Sequence, residues 1–166
     1  LVAGNDNQGE DSVAVGSGAG YTNQGKSSVA IGLAAGQSTQ GKNSVAIGSG
    51  AGQTNQQQNS IAIGNDAVND NQGINSVSVG SGAGMTTQGN DSVSIGYIAG
   101  RISQGKRCVA VGAAAGYSNQ GINSVAVGFE AAQNNQGNDS VAIGLDAGHD
   151  NQGINSVAVG AGAGND

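Results

Sequence analysis

The side chains best suited to chemistry in this chain are its single histidine, His149, and three aspartates that precede an Asn-Gln pair, Asp6, Asp70 and Asp150. A histidine can act as a general acid or base or bind a metal, and carboxylates can complete such a site. The chain repeats a sixteen-residue pattern, described below. In its other copies the position of these aspartates holds Thr, Ser, Asn or Ile, which is typical of turn residues. The position of His149 also accepts Asn, Tyr, Gln, Met and Arg. The sequence therefore predicts a solvated surface histidine and no metal cage.

A second chemical candidate is the string Gly-Ser-Gly-Ala-Gly, which begins at Gly16, Gly48 and Gly80. Glycine-rich loops bind phosphates when they join a strand to a helix, with an acidic residue about 20 positions further on. Here the string recurs, and no copy is followed by a helical pattern. We therefore expect no catalytic, cofactor-binding or metal-binding residue, and the chain is predicted not to be an enzyme.

Composition excludes several further classes. The chain has 166 residues, with 32 glycines, no proline, no tryptophan and four aromatic residues, so it lacks the large side chains of an ordinary globular core. A net charge of -6 argues against general affinity for nucleic acid. Apolar runs of only a few residues predict no membrane insertion by this segment. The single Cys108 cannot form an internal disulfide.

The dominant feature is a repeat of sixteen residues. Ser-Val-Ala-Val-Gly begins at Ser12, and its relatives begin every sixteen residues as far as Ser156, giving ten copies without insertion or deletion. Such strict spacing predicts that each residue stacks on its counterpart one repeat away. The β-branched alternation indicates a strand, and the Gly- and Asn-rich segments indicate turns. The sequence therefore predicts an all-β, parallel β-solenoid (a β-roll) of about ten coils, forming a single domain over residues 1–166.

Columns of the repeat are named here by the first copy, columns 12 to 27. Alternation predicts that columns 13 and 15 face inward, with the alanine of column 19 filling the interior from the opposite strand. The predicted core, over the first three full copies, consists of Val13, Val15, Ala19, Val29, Ile31, Ala35, Val45, Ile47 and Ala51.

Two further columns are predicted to have structural roles. Column 24 is always glutamine, and identical amides stacked one coil apart can form a hydrogen-bonded ladder. The predicted ladder consists of Gln24, Gln40, Gln56, Gln72, Gln88, Gln104, Gln120, Gln136 and Gln152. Columns 12 and 14 are predicted to face outward as a flat stripe of small residues that packs against a partner. That candidate packing face consists of Ser12, Ala14, Ser28, Ala30, Ser44, Ala46 and Cys108.

The motif Asn-Ser-Val-Ala-Ile-Gly at Asn43–Gly48, with its variant at Asn59–Gly64, resembles the head repeats of trimeric autotransporter adhesins. The resemblance implies a left-handed β-roll, three chains side by side, and display on a bacterial surface for attachment. Similar Ser-Val-Ala-Ile-Gly arrays resemble viral and phage fibre proteins, which leaves open whether the fibre belongs to a cell or a virion.

The predicted function is therefore a non-catalytic structural or adhesive segment of an extracellular surface fibre, and a fragment of a longer fibrous protein. Expected partners are further copies of the chain, as a trimer or filament, and a host-surface or matrix receptor. No cofactor is expected. The alternative is a lattice- or ligand-binding solenoid such as an ice-binding protein, because the predicted outward stripe of Ser and Ala is flat, uncharged and regularly spaced.

Overall fold

A computed structural model describes residues 2–165, and these form a parallel β-solenoid of about ten coils with no helix. Strands sixteen residues apart pair in parallel and in register, as Val29 does with Val45 and Ile31 with Ile47. The predicted fold class and repeat length are confirmed. Within the described residues no helix is long and apolar enough to cross a lipid bilayer.

Each coil contributes a three-residue strand to a ten-stranded sheet, named here the Val/Ile sheet. Its strands are Val13–Val15, Val29–Ile31, Val45–Ile47, Ile61–Ile63, Val77–Val79, Val93–Ile95, Val109–Val111, Val125–Val127, Val141–Ile143 and Val157–Val159. These strands occupy columns 13 to 15, so the β-branched alternation predicted them correctly.

The opposite wall of the coil is a seven-stranded sheet, named here the Gln sheet, in which column 24 ends each strand. Its strands are Asp6–Gln8, Thr22–Gln24, Ser38–Gln40, Thr54–Gln56, Asp70–Gln72, Thr86–Gln88 and Ile102–Gln104. Single parallel bridges at Ser118, Asn134 and Asp150 continue this wall toward the C-terminus. The opposite strand expected from the sequence is therefore present, but it covers columns 22 to 24, and the alanine of column 19 lies in the turn before it.

Glycine of column 16 ends every strand of the Val/Ile sheet because two constraints coincide there. At Gly32 φ is +132°, a backbone conformation that L side chains rarely adopt, and an added Cβ would lie 2.5 Å from the carbonyl oxygen of Gly48 in the next coil. The turn is therefore closed to any side chain, both by its dihedral angle and by the coil stacked on it.

Asparagine takes the left-handed position of column 27 in half of the copies. Asn43 and Asn59 of column 27 have φ of 54° and 56°, a region that asparagine tolerates better than most residues. The amide of Asn43 donates to Asn59 at 3.2 Å, and that of Asn59 donates to Asn75 at 3.2 Å. Stacked amides thus fix the turns of neighbouring coils to one another.

The interior is lined by alanine and serine, and our inward assignment of columns 13 and 15 is wrong. Val13, Val15 and Ile31 are 46%, 55% and 37% exposed, and Val29, Val45 and Ile47 are only partly buried. Ala19, Ala35 and Ala51 of column 19 are fully buried, as predicted. Alternation sets which residues share a face, but the narrow gap between the two sheets decides which face is inside. The small side chains of columns 12, 14 and 19 and the glutamines of column 24 occupy that gap, and the β-branched side chains of columns 13 and 15 lie outside, although Val68 of column 20 is fully buried.

The predicted packing face is wrong for the same reason. Ser28, Ala30, Ser44, Ala46 and Cys108 are completely buried inside the coils. Ser12 and Ala14 of the first coil are partly buried.

The buried hydroxyl groups of column 12 are satisfied locally. Ser28 Oγ donates to the Gly25 carbonyl at 2.6 Å, and Ser44 Oγ donates to the Gly41 carbonyl at 2.6 Å. Because each hydroxyl has a partner, the polar side chains cost little inside the coil, and they tie the strand to the preceding turn.

Candidate interaction surface

Columns 13 and 15 present two aliphatic side chains per coil on the outer side of the Val/Ile sheet, and this surface is named here the Val/Ile face. Its exposure reaches 72% at Val157 and 63% at Val159. Bulky residues of column 17 follow the strand in four coils and are also exposed: Leu33, Tyr97, Phe129 and Leu145. Exposed or partly exposed aliphatic side chains therefore line the outer side of every coil.

The Val/Ile face is regular as well as apolar. Val45 pairs with Ile61 and Ile47 with Ile63 across neighbouring strands, and every other described step of the sheet repeats this register. Neighbouring strands lie about 4.8 Å apart, so ten strands form a stripe about 45 Å long. Columns 12 to 16 contain no charged residue in any copy. Such a surface has the chemistry for association with another apolar face.

The glutamines of column 24 hold the two sheets of each coil together. Gln56 Nε2 donates to the Val45 carbonyl oxygen at 2.8 Å, across the interior of the same coil. The same bond, at 2.8–3.0 Å, is made by Gln24, Gln40, Gln72, Gln88, Gln104, Gln120, Gln136 and Gln152. All nine of these side chains are buried. Their main role is therefore to bridge the sheets, which the sequence did not predict.

The predicted glutamine ladder is formed only in part. Gln72 donates to Gln88 at 3.2 Å. Gln104 likewise donates to Gln120, and Gln136 to Gln152, both at 3.1 Å. The side-chain oxygens of Gln24, Gln40 and Gln56 have no hydrogen-bond partner among the described residues. The glutamine ladder between coils therefore forms at three steps in the later part of the rod. It supplements the bond that each glutamine makes to the opposite sheet within its own coil and does not replace it.

Cys108 takes the place of a column 12 serine inside its coil. Its Sγ lies 2.7 Å from the Gly121 carbonyl oxygen of the next coil. Burial raises the pKa of this thiol above its ordinary 9.0, against smaller opposing effects of nearby backbone groups. The thiol is thus a buried replacement for serine and is not available on a packing face.

His149 is more enclosed than the sequence predicted, with 27% of its side chain exposed. Its Nε2 lies 3.8 Å from Glu130 Oε2, and its Nδ1 lies 2.9 Å from Asp150 Oδ2. Glu130, Asp146 and His149 bring one potential ligand atom each within 4.8 Å of one another. The hydrogen bonds from His149 and then Asn134 lower the pKa of the Asp150 carboxyl group. Sequence reasoning missed this cluster, although residues 130 and 146 are one repeat apart.

The remaining sequence candidates are not brought together. Asp6 and Asp70 begin separate strands of the Gln sheet, four repeats apart, and neither lies in the cluster around His149. Gly16, Gly48 and Gly80 each form the turn after a strand of the Val/Ile sheet, so the glycine-rich strings close coils.

Two copies of the YadA head domain repeat match residues 24–51 of this chain. The matched segment contains the motif Asn43–Gly48 and includes two strands of the Val/Ile sheet and the strand Ser38–Gln40 of the Gln sheet. The match confirms the resemblance of these repeats to the head repeats of trimeric autotransporter adhesins. No curated protein and no solved structure matches the chain.

Proposed function

We propose that this chain is a non-catalytic, adhesive segment of an extracellular surface fibre, in which copies of the rod associate side by side through the Val/Ile face. The observation that carries this proposal is the row of exposed and partly exposed aliphatic side chains on the outer side of every coil. The match to adhesin head repeats supports a fibre on a cell surface and an assembly of three chains.

A second copy of the chain is the partner that best fits the Val/Ile face. An identical rod has the same spacing of about 4.8 Å, so parallel copies in register bring aliphatic side chains together at every coil. The face has no charged residue that a differently charged partner could recognise. Apolar patches of several hundred Å² on a soluble protein mark interaction sites.

The energetics require many coils to act together. Seven of the twenty Val and Ile side chains of the face are well exposed and the other thirteen are only partly exposed, so completing their burial contributes roughly 0.5 kcal/mol each on average. The twenty side chains of one copy therefore contribute on the order of 10 kcal/mol, and the two faces of a pair contribute about 20 kcal/mol, against an association cost of about 4–15 kcal/mol. Two or three coils would not offset that cost, whereas the full rod does. Association through this face therefore favours long, unbroken repeat arrays.

The lattice-binding alternative required an exposed stripe of Ser and Ala. That stripe is not on the surface, because the Ser and Ala residues of columns 12 and 14 are inside the coils. The left-handed winding, the extracellular location and a host-surface or matrix receptor remain predictions. A receptor would meet exposed, variable positions away from the Val/Ile face, such as Glu10, Lys26 and Lys42.

The oligomeric state tests the proposed association. Light scattering and sedimentation of the untagged chain are expected to give three times the chain mass. The double variant Ile47→Glu with Val79→Glu, which places charges on the Val/Ile face, should give monomers whose circular dichroism remains that of a β-solenoid. The matched control Gln57→Glu, at an exposed position outside that face, should remain trimeric. A native chain that is monomeric at high concentration would contradict the proposal.

Adhesion needs a separate measurement. Beads coated with the native assembly are expected to bind to surfaces covered with extracellular-matrix proteins or intact cells more strongly than uncoated beads. Equal binding by coated and uncoated beads to every such surface would remove the adhesive role and leave the chain as a structural element of the fibre.

A further inference from the structure

We propose that Glu130, Asp146 and His149 form a binding site for a divalent transition-metal ion of the zinc type. Two carboxylates and one imidazole are a ligand set that Zn²⁺ uses in proteins. Each residue offers one ligand atom, and these atoms lie within 4.8 Å of one another. The inference is independent of the Val/Ile face and of the proposed association.

The distances suit a small cation after a modest closure of the side chains. Ligands of a tetrahedral Zn²⁺ ion lie about 3.4 Å apart, given metal–ligand bonds of about 2.0–2.2 Å. Nε2 of His149 and Oε2 of Glu130 are already 3.8 Å apart. Rotamer adjustments of about 1 Å or less complete the set without a change in the coil.

One carboxylate oxygen of the partly buried Asp146 is left without a hydrogen-bond partner within residues 2–165, next to two other potential ligands. Oδ1 of Asp146 is buried and has no hydrogen-bond partner among the described residues. A buried carboxylate oxygen without a partner is costly, and a bound cation removes that cost. Asp146 also lies one repeat beyond Glu130, so the two carboxylates occupy the same column in adjacent coils, where like charges repel.

No basic side chain of the surrounding sequence can neutralise this pair. From Cys108 to the end the chain has five acidic residues and neither lysine nor arginine. Among the described residues, Glu130 forms its one ion-pair contact with His149, and that contact is ionic only when the imidazole is protonated. A cation from solution therefore has a charge to neutralise here that the chain leaves uncompensated.

The second ring nitrogen of His149 is held as in established zinc sites. Nδ1 lies 2.9 Å from Oδ2 of Asp150, so an Nδ1–H group donates to this carboxylate. A neutral imidazole with its proton on Nδ1 carries its lone pair on Nε2, the atom that lies 3.8 Å from Oε2 of Glu130. A carboxylate–histidine–metal arrangement of this type fixes the ring and increases the basicity of the ligand. Asp150 is in turn held by Nδ2 of Asn134 at 2.9 Å.

A bound ion would link two coils. Glu130 lies in one copy of the repeat, and Asp146 and His149 lie in the next, so coordination joins them in addition to the backbone ladder. Three protein ligands leave a fourth position for water or an external ligand. The expected result of binding is a higher unfolding temperature at the C-terminal end of the rod.

The test titrates untagged, chelator-treated protein with Zn²⁺, and with Co²⁺ as a spectroscopic probe. We expect one ion per chain, a visible Co²⁺ absorption typical of tetrahedral coordination, and an unfolding midpoint that rises with Zn²⁺ concentration. Glu130→Gln, Asp146→Asn and His149→Gln should each abolish the Co²⁺ spectrum and the shift in midpoint. Asp150→Asn should weaken Zn²⁺ binding by about 10- to 100-fold while retaining the three ligands.

Asp66→Asn is the matched control, because Asp66 occupies the same column in a coil that has no histidine at the position of His149. This variant should bind one Zn²⁺ ion as the native chain does. Circular dichroism without metal shows whether each variant remains folded. Absence of stoichiometric Zn²⁺ binding by the native chain, equal binding by the three ligand variants, or equally strong binding of Ca²⁺ would overturn the proposal.

Discussion

Gln56 and Val45 are joined across the interior of a single coil, where the side-chain amide of Gln56 donates to the main-chain carbonyl of Val45 at 2.8 Å. Val45 lies in the Val/Ile sheet and Gln56 in the Gln sheet, so this bond connects the two walls. The hydrogen bonds from the amides of column 24 to the carbonyl oxygens of column 13 therefore set the distance between the two sheets in every coil from Gln24 onward.

Replacing Gln56 with methionine should destabilise the rod by about 1–3 kcal/mol, because the Val45 carbonyl loses a buried donor while the volume is nearly conserved. Urea unfolding monitored by circular dichroism measures the change. Gln57→Met, at the exposed neighbouring position, should alter the free energy of unfolding by no more than about 0.5 kcal/mol. Equal effects of the two substitutions would show that the hydrogen bond from Gln56 to the Val45 carbonyl contributes nothing to the free energy of unfolding.

Ala46→Leu should destabilise the rod by about 1–3 kcal/mol or more, because Ala46 is fully buried in a column that holds only alanine or serine and has no room for a larger side chain. Ala113→Leu is the control, since its column already holds leucine at Leu33 and Leu145. Thermal unfolding of both variants should show a lower midpoint for Ala46→Leu alone. An unchanged midpoint would mean that the coils expand to accept larger residues.

Gly32→Ala and Gly160→Ala separate two costs at the turn of column 16. At both positions φ is positive, +132° and +121°, so both variants incur backbone strain of about 1–3 kcal/mol. A Cβ at residue 32 also meets the next coil, whereas a Cβ at residue 160 meets nothing within 4 Å. We expect the larger loss of unfolding free energy for Gly32→Ala. Similar losses of unfolding free energy in the two variants would mean that the positive φ alone explains why every copy has glycine in this column.

Cys108 should make stability depend on pH in the alkaline range. Burial raises the pKa of its thiol, so the folded state disfavours the thiolate, and stability is lost as pH rises above the unfolded value of about 9.0. Urea unfolding at pH 7 and pH 10 should show a greater decrease for the native chain than for Cys108→Ser. Parallel decreases would contradict a buried, protonated thiol.

The sequence was sufficient to predict the coils and their stacking, but not which side chains face the interior and which face solvent. Exact spacing predicted the stacking of Val29 on Val45, because no other arrangement explains ten copies without an insertion. Hydrophobicity then suggested the wrong face, since the strand is apolar on both sides and the outer side is uncovered in a single chain. The informative signal was size: column 14 holds only alanine or serine, as at Ala46 and Ser78, which a surface would not require.

The polar residues show a similar limit. An invariant glutamine indicated a structural role, but its bond to a carbonyl eleven residues earlier depends on the cross-section of the coil, which sequence spacing does not give. The cluster around His149 was within reach, because Glu130 and Asp146 are one repeat apart and His149 follows three residues later. Columns 18 and 21 are both variable, so neither indicates a site when it is considered alone. The cluster becomes visible only when the residues of both columns in adjacent coils are considered together.

The strict sixteen-residue register has a consequence for how such a rod can change over generations. A recombination event between two misaligned copies in the gene adds or removes whole coils, and each new junction pairs column with column as before. The product folds with the same interior, and its reach changes in steps of about 4.8 Å. Length in this architecture is therefore open to rapid selection, while the cross-section of the rod is held constant by its buried alanines.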